Sequence, residues 1–517
     1  MEASRLTIEC RFFGDLNDVI RAACGARDAS WTSPQFEYIQ SYLQRGTARA
    51  KTMVVEKPYV DRHYLEEYGA YYFSAFRNGG PTTTRIHFFD TKFDRNELSE
   101  WVQAAASGDA EKRDKIQGDL DDAYIGFMTV RPIPSAPIGR TILRPYKDKP
   151  TRSYIPSEGG HPVHLLGFEL KARGLPFQQQ EQAVGACATT ALWSAMSRVV
   201  RADGGRTPTP YSVTQAATRH YLQDRALPAV SGLELAQLTA AVREFGYAPY
   251  VLKPAREHGT FALSLKCYLH SGIPAVLVLE DPQGGYHAVT ASGYRLGDDE
   301  EPAADIKVEF LDEGGELSSK GISRIYVHDD CFGPYVRMKL TPPATPQGDT
   351  VLERIGPATG DPAHGAGGKV CYALFPLYPK LRLTARELIG LGLDMLPVVR
   401  SVLTEAERST LNVEVFFAHG GRYQRRLLSS GLEDPARVEQ FLSGTALSRY
   451  VGVVRFQLAD GALVDIVCDT TDIRRDYPRR APVLAVFRSP RSSCPRSRRR
   501  SRRWLRGRWS FEPCGTS

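Results

Sequence analysis

The chain has 517 residues, 42% of them apolar and 24% charged, a globular composition too long for one compact core and suited to two or three domains. No run approaches roughly eighteen consecutive apolar residues, and the first ten residues show no basic segment leading into an apolar one, so neither a membrane span nor a secretory signal is expected. The net charge of +7 belongs to the end of the chain: residues 488–517 carry ten arginines against Glu512, which leaves the first 487 residues at −2 and argues against a general nucleic-acid-binding surface.

Residues 1–150 alternate helical and strand-like patterns, with helices expected at 36–44 and 96–106 and strands at 85–89 and 124–130. This α+β region holds no catalytic constellation, and its expected role is to support or dock a substrate. Residues 151–340 read as a central domain. A glutamine-rich loop at 177–182 leads into 186–200, a stretch without Gly or Pro that suits a buried helix. A second helix is expected at 233–245. An apolar strand at 273–279 meets the turn Glu280-Asp-Pro-Gln-Gly-Gly and returns as a strand at 286–293, with a later strand at 325–328. Residues 341–369 are rich in Pro and Gly and read as a linker. Residues 370–487 read as a further α/β domain, with a helix at 385–403 and strands at 412–418, 450–458, 463–468 and 483–487. The Asp-Gly pair at 460–461 joins the second and third of these strands as a hairpin. The Arg/Ser-rich stretch 488–517 has no periodicity and is expected to form no core. It reads either as a basic arm for nucleic acid or an acidic membrane, or as an out-of-frame end.

The nine cysteines are widely spaced and include no Cys-x-x-Cys pair, so free thiols in a reducing cytoplasm are expected. Cys187 stands where the glutamine-rich loop becomes a helix, and the N–H groups of a helix start favour a thiolate. Upstream, Gln178, Gln179, Gln180 and Gln182 offer amides, at least two of which read as surface residues. Gln180 or Gln182 is the candidate donor to an oxyanion. His287 opens a strand directly after Gly284-Gly285, where small residues permit close approach of a backbone or ligand. Asp329 and Asp330 follow a short apolar run, and either carboxylate can orient an imidazole. Nucleophile, base, orienting group and oxyanion donor are the parts that acyl transfer through a thiol requires.

In their order, Gln180-Glu-Gln-Ala-Val-Gly-Ala-Cys187, His287-Ala-Val-Thr-Ala-Ser-Gly-Tyr294 and Val327-His-Asp-Asp-Cys-Phe-Gly333 resemble papain-like cysteine peptidases. They are most similar to the bacterial double-glycine leader peptidases and also to phytochelatin synthases. The resemblance covers about 170 residues. It implies a nucleophile, Cys187, heading a helix packed on an antiparallel sheet that bears the base, His287, and the orienting Asp329 or Asp330. It further implies an oxyanion donor at Gln180 or Gln182, because the position six before the cysteine is Glu181. The expected activity is cleavage of an amide or isopeptide bond in a peptide or protein, with no cofactor. Two alternatives use the same residues: an acyltransferase, or an inactive scaffold that only binds protein. A metal site built from His328, Asp329, Asp330 and Cys331, or from His161 and His164, matches no ligand spacing with a mechanism, since adjacent strand residues face opposite ways. Phosphate-binding glycine motifs are absent.

Overall fold

The computed structural model describes residues 6–28, 30–45, 48–74, 79–146, 149–155, 160–180, 187–219, 232–254, 257–309, 316–345, 348–355, 367–431, 433–459, 461–471 and 483–488. The chain divides into two units, Met1–Ile306 with Lys320–Pro379, and Lys307–Ser319 with Lys380–Ser517. Both mix helices with antiparallel sheets, so the α+β class holds.

The first unit begins with β1 (Thr7–Phe12), α1 (Leu16–Cys24), α2 (Pro34–Arg45), β2 (Thr52–Tyr59), α3 (Arg62–Glu67), β3 (Thr83–Phe89), α4 (Arg95–Ala105), α5 (Ala110–Ala123), β4 (Tyr124–Val130) and β5 (Ile138–Leu143). The five strands pair antiparallel in chain order. Three short strands follow: β6 (Arg152–Tyr154), β7 (His161–Leu165) and β8 (Phe168–Ala172), the last two forming a hairpin. Strands β3 and β4 are buried along their whole length because both faces of the sheet are covered. Ile20, Ile39 and Leu43 of α1 and α2 pack on Val55, Ile86 and Phe88. On the other face, Leu98 and Leu120 of α4 and α5, with Val163 and Leu170 of the hairpin, pack on Val54, Phe89 and Phe127. Two-sided cover also explains why these strands read as apolar runs without a period of two.

The chain continues through α6 (Cys187–Ala202), α7 (Pro210–Thr218), α8 (Leu235–Glu244), β9 (Ala248–Leu252), α9 (His258–His270), β10 (Ala275–Glu280) and β11 (Tyr286–Leu296). Next come β12 (Ile306–Glu309), β13 (Glu316–Ser319), β14 (Ile322–Asp329), β15 (Gly333–Thr341), β16 (Val351–Arg354) and β17 (Gly367–Leu377). Strands β10, β11, β14, β15, β16 and β17 pair in that order, and β17 pairs back onto β10, closing a six-stranded antiparallel barrel. Strand β9 extends β17, and β6 extends β11. Helix α6 is buried along most of its length, Thr189, Ser194, Ser197 and Arg198 included, and lies against β10 and β11. The Thr290 hydroxyl donates to the Ala191 carbonyl at 2.8 Å and fixes α6 to β11.

Two expected boundaries differ. No break separates residues 1–150 from the barrel. Phe177 bridges to Thr141 at the edge of β5, and Gln179 N–H donates to Ile138 O at 3.0 Å. Tyr326 and Tyr335 of β14 and β15 share one core with α1 and α2. Nor is 341–369 a linker throughout, since it contains β16 and the start of β17. Gly367 and Gly368 serve strand crowding: a Cβ at Gly367, where φ is +101°, would stand 1.9 Å from Leu352 O, and one at Gly368 would stand 2.4 Å from Glu280 O. Gly is the residue that allows such approach where a barrel closes.

The second unit holds α10 (Ala385–Arg400), α11 (Glu405–Thr410), β18 (Asn412–His419), α12 (Gly420–Ser430), α13 (Pro435–Gly444), β19 (Tyr450–Leu458), β20 (Gly461–Asp469) and β21 (Val483–Arg488). Strands β18 to β21 pair antiparallel in chain order, the β12–β13 pair of Lys307–Ser319 forms a separate two-stranded sheet, and the expected hairpin turns at Leu458 and Gly461. Arg455 and Asp465 form a buried two-point ion pair at 2.7 and 2.6 Å, with the Tyr423 hydroxyl donating to the same carboxylate at 3.2 Å. Residues 489–517 lie outside the described residues. Among the described residues, no helix is long and apolar enough to cross a membrane.

Candidate active site

Cys187 is the first residue of α6 and is half-buried. Its Sγ accepts a hydrogen bond from the Ala288 backbone N–H at 3.2 Å, so the strand that carries His287 also touches the sulfur.

His287 is the second residue of β11, reached through a turn that Asp281 organises by accepting from the N–H groups of Gln283 and Gly285, each at 2.8 Å. Gly284 has φ +84°, so Gly284 and Gly285 serve the hairpin turn rather than an approach to a ligand. His287 Nε2 lies 2.9 Å from Asp329 Oδ1 and 3.7 Å from Asp330 Oδ1. The other ring nitrogen, Nδ1, is the one left for Cys187. Burial works against the imidazolium. The Asp329 carboxylate and its hydrogen bond, the Cys187 side chain and Asp330 outweigh it and hold the His287 pKa well above the ordinary histidine range.

Asp329 ends β14 and is buried. Its Oδ1 also accepts the Cys331 N–H at 3.0 Å, which locks the carboxylate toward the imidazole. Of the two aspartates, Asp329 is therefore the one within hydrogen-bond reach of His287. Asp330 is 4% exposed, and neither of its carboxylate oxygens makes a well-formed hydrogen bond. Burial pushes its pKa up to about 7, with His287 opposing and Asp329 adding to the rise. The Gln35 side chain of α2 donates to the Asp330 carbonyl at 3.0 Å and holds the turn from the far side.

The glutamines divide. Gln178 and Gln179 are buried rather than on the surface: Gln178 Nε2 donates to Glu67 Oε1 at 2.9 Å, and Gln179 Oε1 accepts the Ile138 N–H at 3.2 Å. Gln180 is exposed, and Gln182 lies outside the described residues.

A ligand-rich patch of the kind set aside in the sequence does form, but with His287 and not His328. His328 turns away from Asp329, its Nδ1–H donating to Pro176 O across 3.3 Å, with its ring edge-on to Tyr335 at 4.7 Å; burial holds its pKa down to about 3. In its place His287 joins Asp329, Asp330 and Cys331, with ligand atoms all within 4.8 Å of one another. Burial, then Asp330 and Asp329, raises the Cys331 thiol pKa. His161 stands in the β7–β8 hairpin against the Arg201 guanidinium at 3.2 Å, outside this group. Sequence reasoning did not reach the Ala288 N–H or Gln35, since a backbone donor and a surface-type amide carry no signal in the chain.

Comparison with known proteins gives no match: no family model, no curated protein and no solved structure aligns with this chain.

Proposed function

We propose that the first unit is a papain-like cysteine hydrolase that cleaves an amide or isopeptide bond in a peptide or protein through an acyl-thioenzyme. The observation that carries this reading is the convergence of Cys187, at the head of a buried helix, with His287 and Asp329 on two adjoining barrel strands. His287 takes the thiol proton through Nδ1 while Asp329 holds Nε2–H and supports the imidazolium. The thiolate attacks the carbonyl carbon, and the oxyanion is received by the Cys187 backbone N–H, with Gln180 or Gln182 as the side-chain donor. The imidazolium protonates the leaving amine, and His287 then activates the water that releases the acyl group.

The test is carbamidomethylation of Cys187 by iodoacetamide at pH 6 in chelator-treated protein. An ordinary thiol is about 0.3% thiolate at that pH, so an activated Cys–His pair labels roughly 100-fold faster. That advantage should disappear in His287→Ala and fall in Asp329→Asn. Equal, slow labelling in all three proteins would identify Cys187 as an inert structural cysteine.

A further inference from the structure

Beside the nucleophile, four groups of different chemistry face one point: His287 Nε2, the carboxylates of Asp329 and Asp330, and Cys331 Sγ, all within 4.8 Å of one another. Two of the edges are 2.9 Å (His287 Nε2 to Asp329 Oδ1) and 3.7 Å (His287 Nε2 to Asp330 Oδ1). A tetrahedral zinc ion with bonds of about 2.0–2.3 Å sets its ligand atoms roughly 3.3–3.7 Å apart, so only small side-chain shifts separate this cluster from a coordination shell.

A second observation points the same way. Asp330 is 4% exposed, yet both of its carboxylate oxygens lack a hydrogen-bond partner. A buried carboxyl that makes no hydrogen bond, with His287 Nε2 3.7 Å from its Oδ1, is incompletely compensated, and a cation placed between it and its neighbours removes that cost. The turn itself is fixed by two hydrogen bonds: the Gln35 amide donates to the Asp330 carbonyl at 3.0 Å, and the Cys331 N–H donates to Asp329 Oδ1 at 3.0 Å. The mixed nitrogen, sulfur and oxygen set suits a borderline ion such as zinc. Magnesium and calcium select oxygen alone.

The geometry points to a site for a zinc-class divalent cation, held by His287 Nε2, Asp329, Asp330 and Cys331, whose occupancy silences the Cys187–His287 pair. Binding follows from the cluster itself, while the silencing rests on the hydrolase reading above. A neutral imidazole that gives Nε2 to a metal carries its proton on Nδ1. That nitrogen then has no lone pair to receive the Cys187 proton, so coordination and general-base action exclude each other. Asp329 is simultaneously drawn from the imidazole to the metal.

The experiment titrates the metal-free full chain with zinc in competition with a chromophoric chelator, for the wild type, Cys331→Ser, Asp330→Asn and Cys187→Ala, each checked for an unchanged thermal transition. The wild type and Cys187→Ala should bind one zinc with similar affinity, which excess magnesium does not displace. Cys331→Ser and Asp330→Asn should each lose more than the roughly 10–100-fold that outer-sphere changes cost. Zinc should slow labelling of Cys187 by about tenfold or more in the wild type and leave it unchanged in Cys331→Ser. Three results would overturn the site: no zinc bound by the wild type, full affinity in Cys331→Ser, or loss of binding in Cys187→Ala, which would place the ion on the nucleophile. Failure of the hydrolase reading is separate, since it appears as His287→Ala labelling like wild type before any zinc is added.

Discussion

Lowering the pH from 8 to 5 should destabilise the first unit by several kcal/mol, because His63, His87, His161 and His328 are all held neutral inside the fold, and the first two can be tested together. His63 is 4% exposed, and burial first, then Arg140 and Arg62, push its pKa down to about 3 against the pull of Asp61. His87 is fully buried, with Nδ1 2.9 Å from the Tyr124 hydroxyl and Nε2 3.3 Å from Glu56. Burial and Arg85 bring its pKa to about 4 despite Glu56. In the unfolded chain both return to about 6.5, so between these values the unfolded state binds more protons and folding weakens as pH falls. The stabilisation is complete above pH 6.5 and drains toward pH 4. At pH 5 each histidine accounts for about 2 kcal/mol, hence about 4 kcal/mol together, a large part of a domain's usual 5–15 kcal/mol. Urea unfolding at the two pH values measures the difference. Trp193, whose ring lies 5.4 Å from His63, is a local fluorescence reporter. In His63→Gln/His87→Gln the gap between pH 8 and pH 5 should shrink by about 4 kcal/mol, whatever the variant's absolute stability. An unchanged gap would refute the assignment of neutral buried imidazoles.

In the second unit, Asp465→Ala strands the buried Arg455 guanidinium and should cost about 3–5 kcal/mol by urea unfolding, whereas Arg455→Met/Asp465→Leu should cost less, about 1–3 kcal/mol, for the Tyr423 hydroxyl left without its acceptor. Gly126→Ala should cost about 2 kcal/mol or more in thermal unfolding, because φ is +142° and the new Cβ would stand 2.0 Å from Ile142 O. Gln178→Ala removes the 2.9 Å donor to the fully buried Glu67 and should lower stability by about 1–3 kcal/mol, checked by the same melt.

How much could be read from the chain depends on the range of the interaction. Local signals worked where periodicity and punctuation decide structure: the stretch after Cys187 is a buried helix, and Tyr286 opens the return strand behind its glycine turn. The ordering of Cys187, His287 and Asp329 was visible, but the choice between Asp329 and Asp330 was not. That choice depends on where β14 ends and on which carboxylate the Cys331 N–H captures. Barrel closure was hidden because β10 pairs with a strand some ninety residues later, β17, and the glycines that allow this look in sequence like a linker. The buried Gln178 and Gln179 looked like surface amides because their partners, Glu67 and Ile138, come from a different part of the chain.

Those same partners tie the N-terminal layer directly to the segment that leads to Cys187. The segment that delivers the chain to Cys187 is strapped to the edge of β5 at two successive points, the Phe177–Thr141 bridge and the Gln179–Ile138 pair. Arg131, almost fully buried, adds a guanidinium bond to the Gln179 carbonyl at 3.0 Å while its Nη1 stands 3.6 Å from Glu67, the acceptor of Gln178. The turn after Asp329 is held by Gln35 from α2. Both approaches to the cysteine–histidine pair therefore end on residues 35–141, and a barrel expressed without them would lose two fixed points at once. A chain begun at residue 151 should fold poorly or label slowly at Cys187, whereas a chain ending at residue 379 keeps both straps. Rapid His287-dependent labelling in the first and its absence in the second would reverse this assignment of roles.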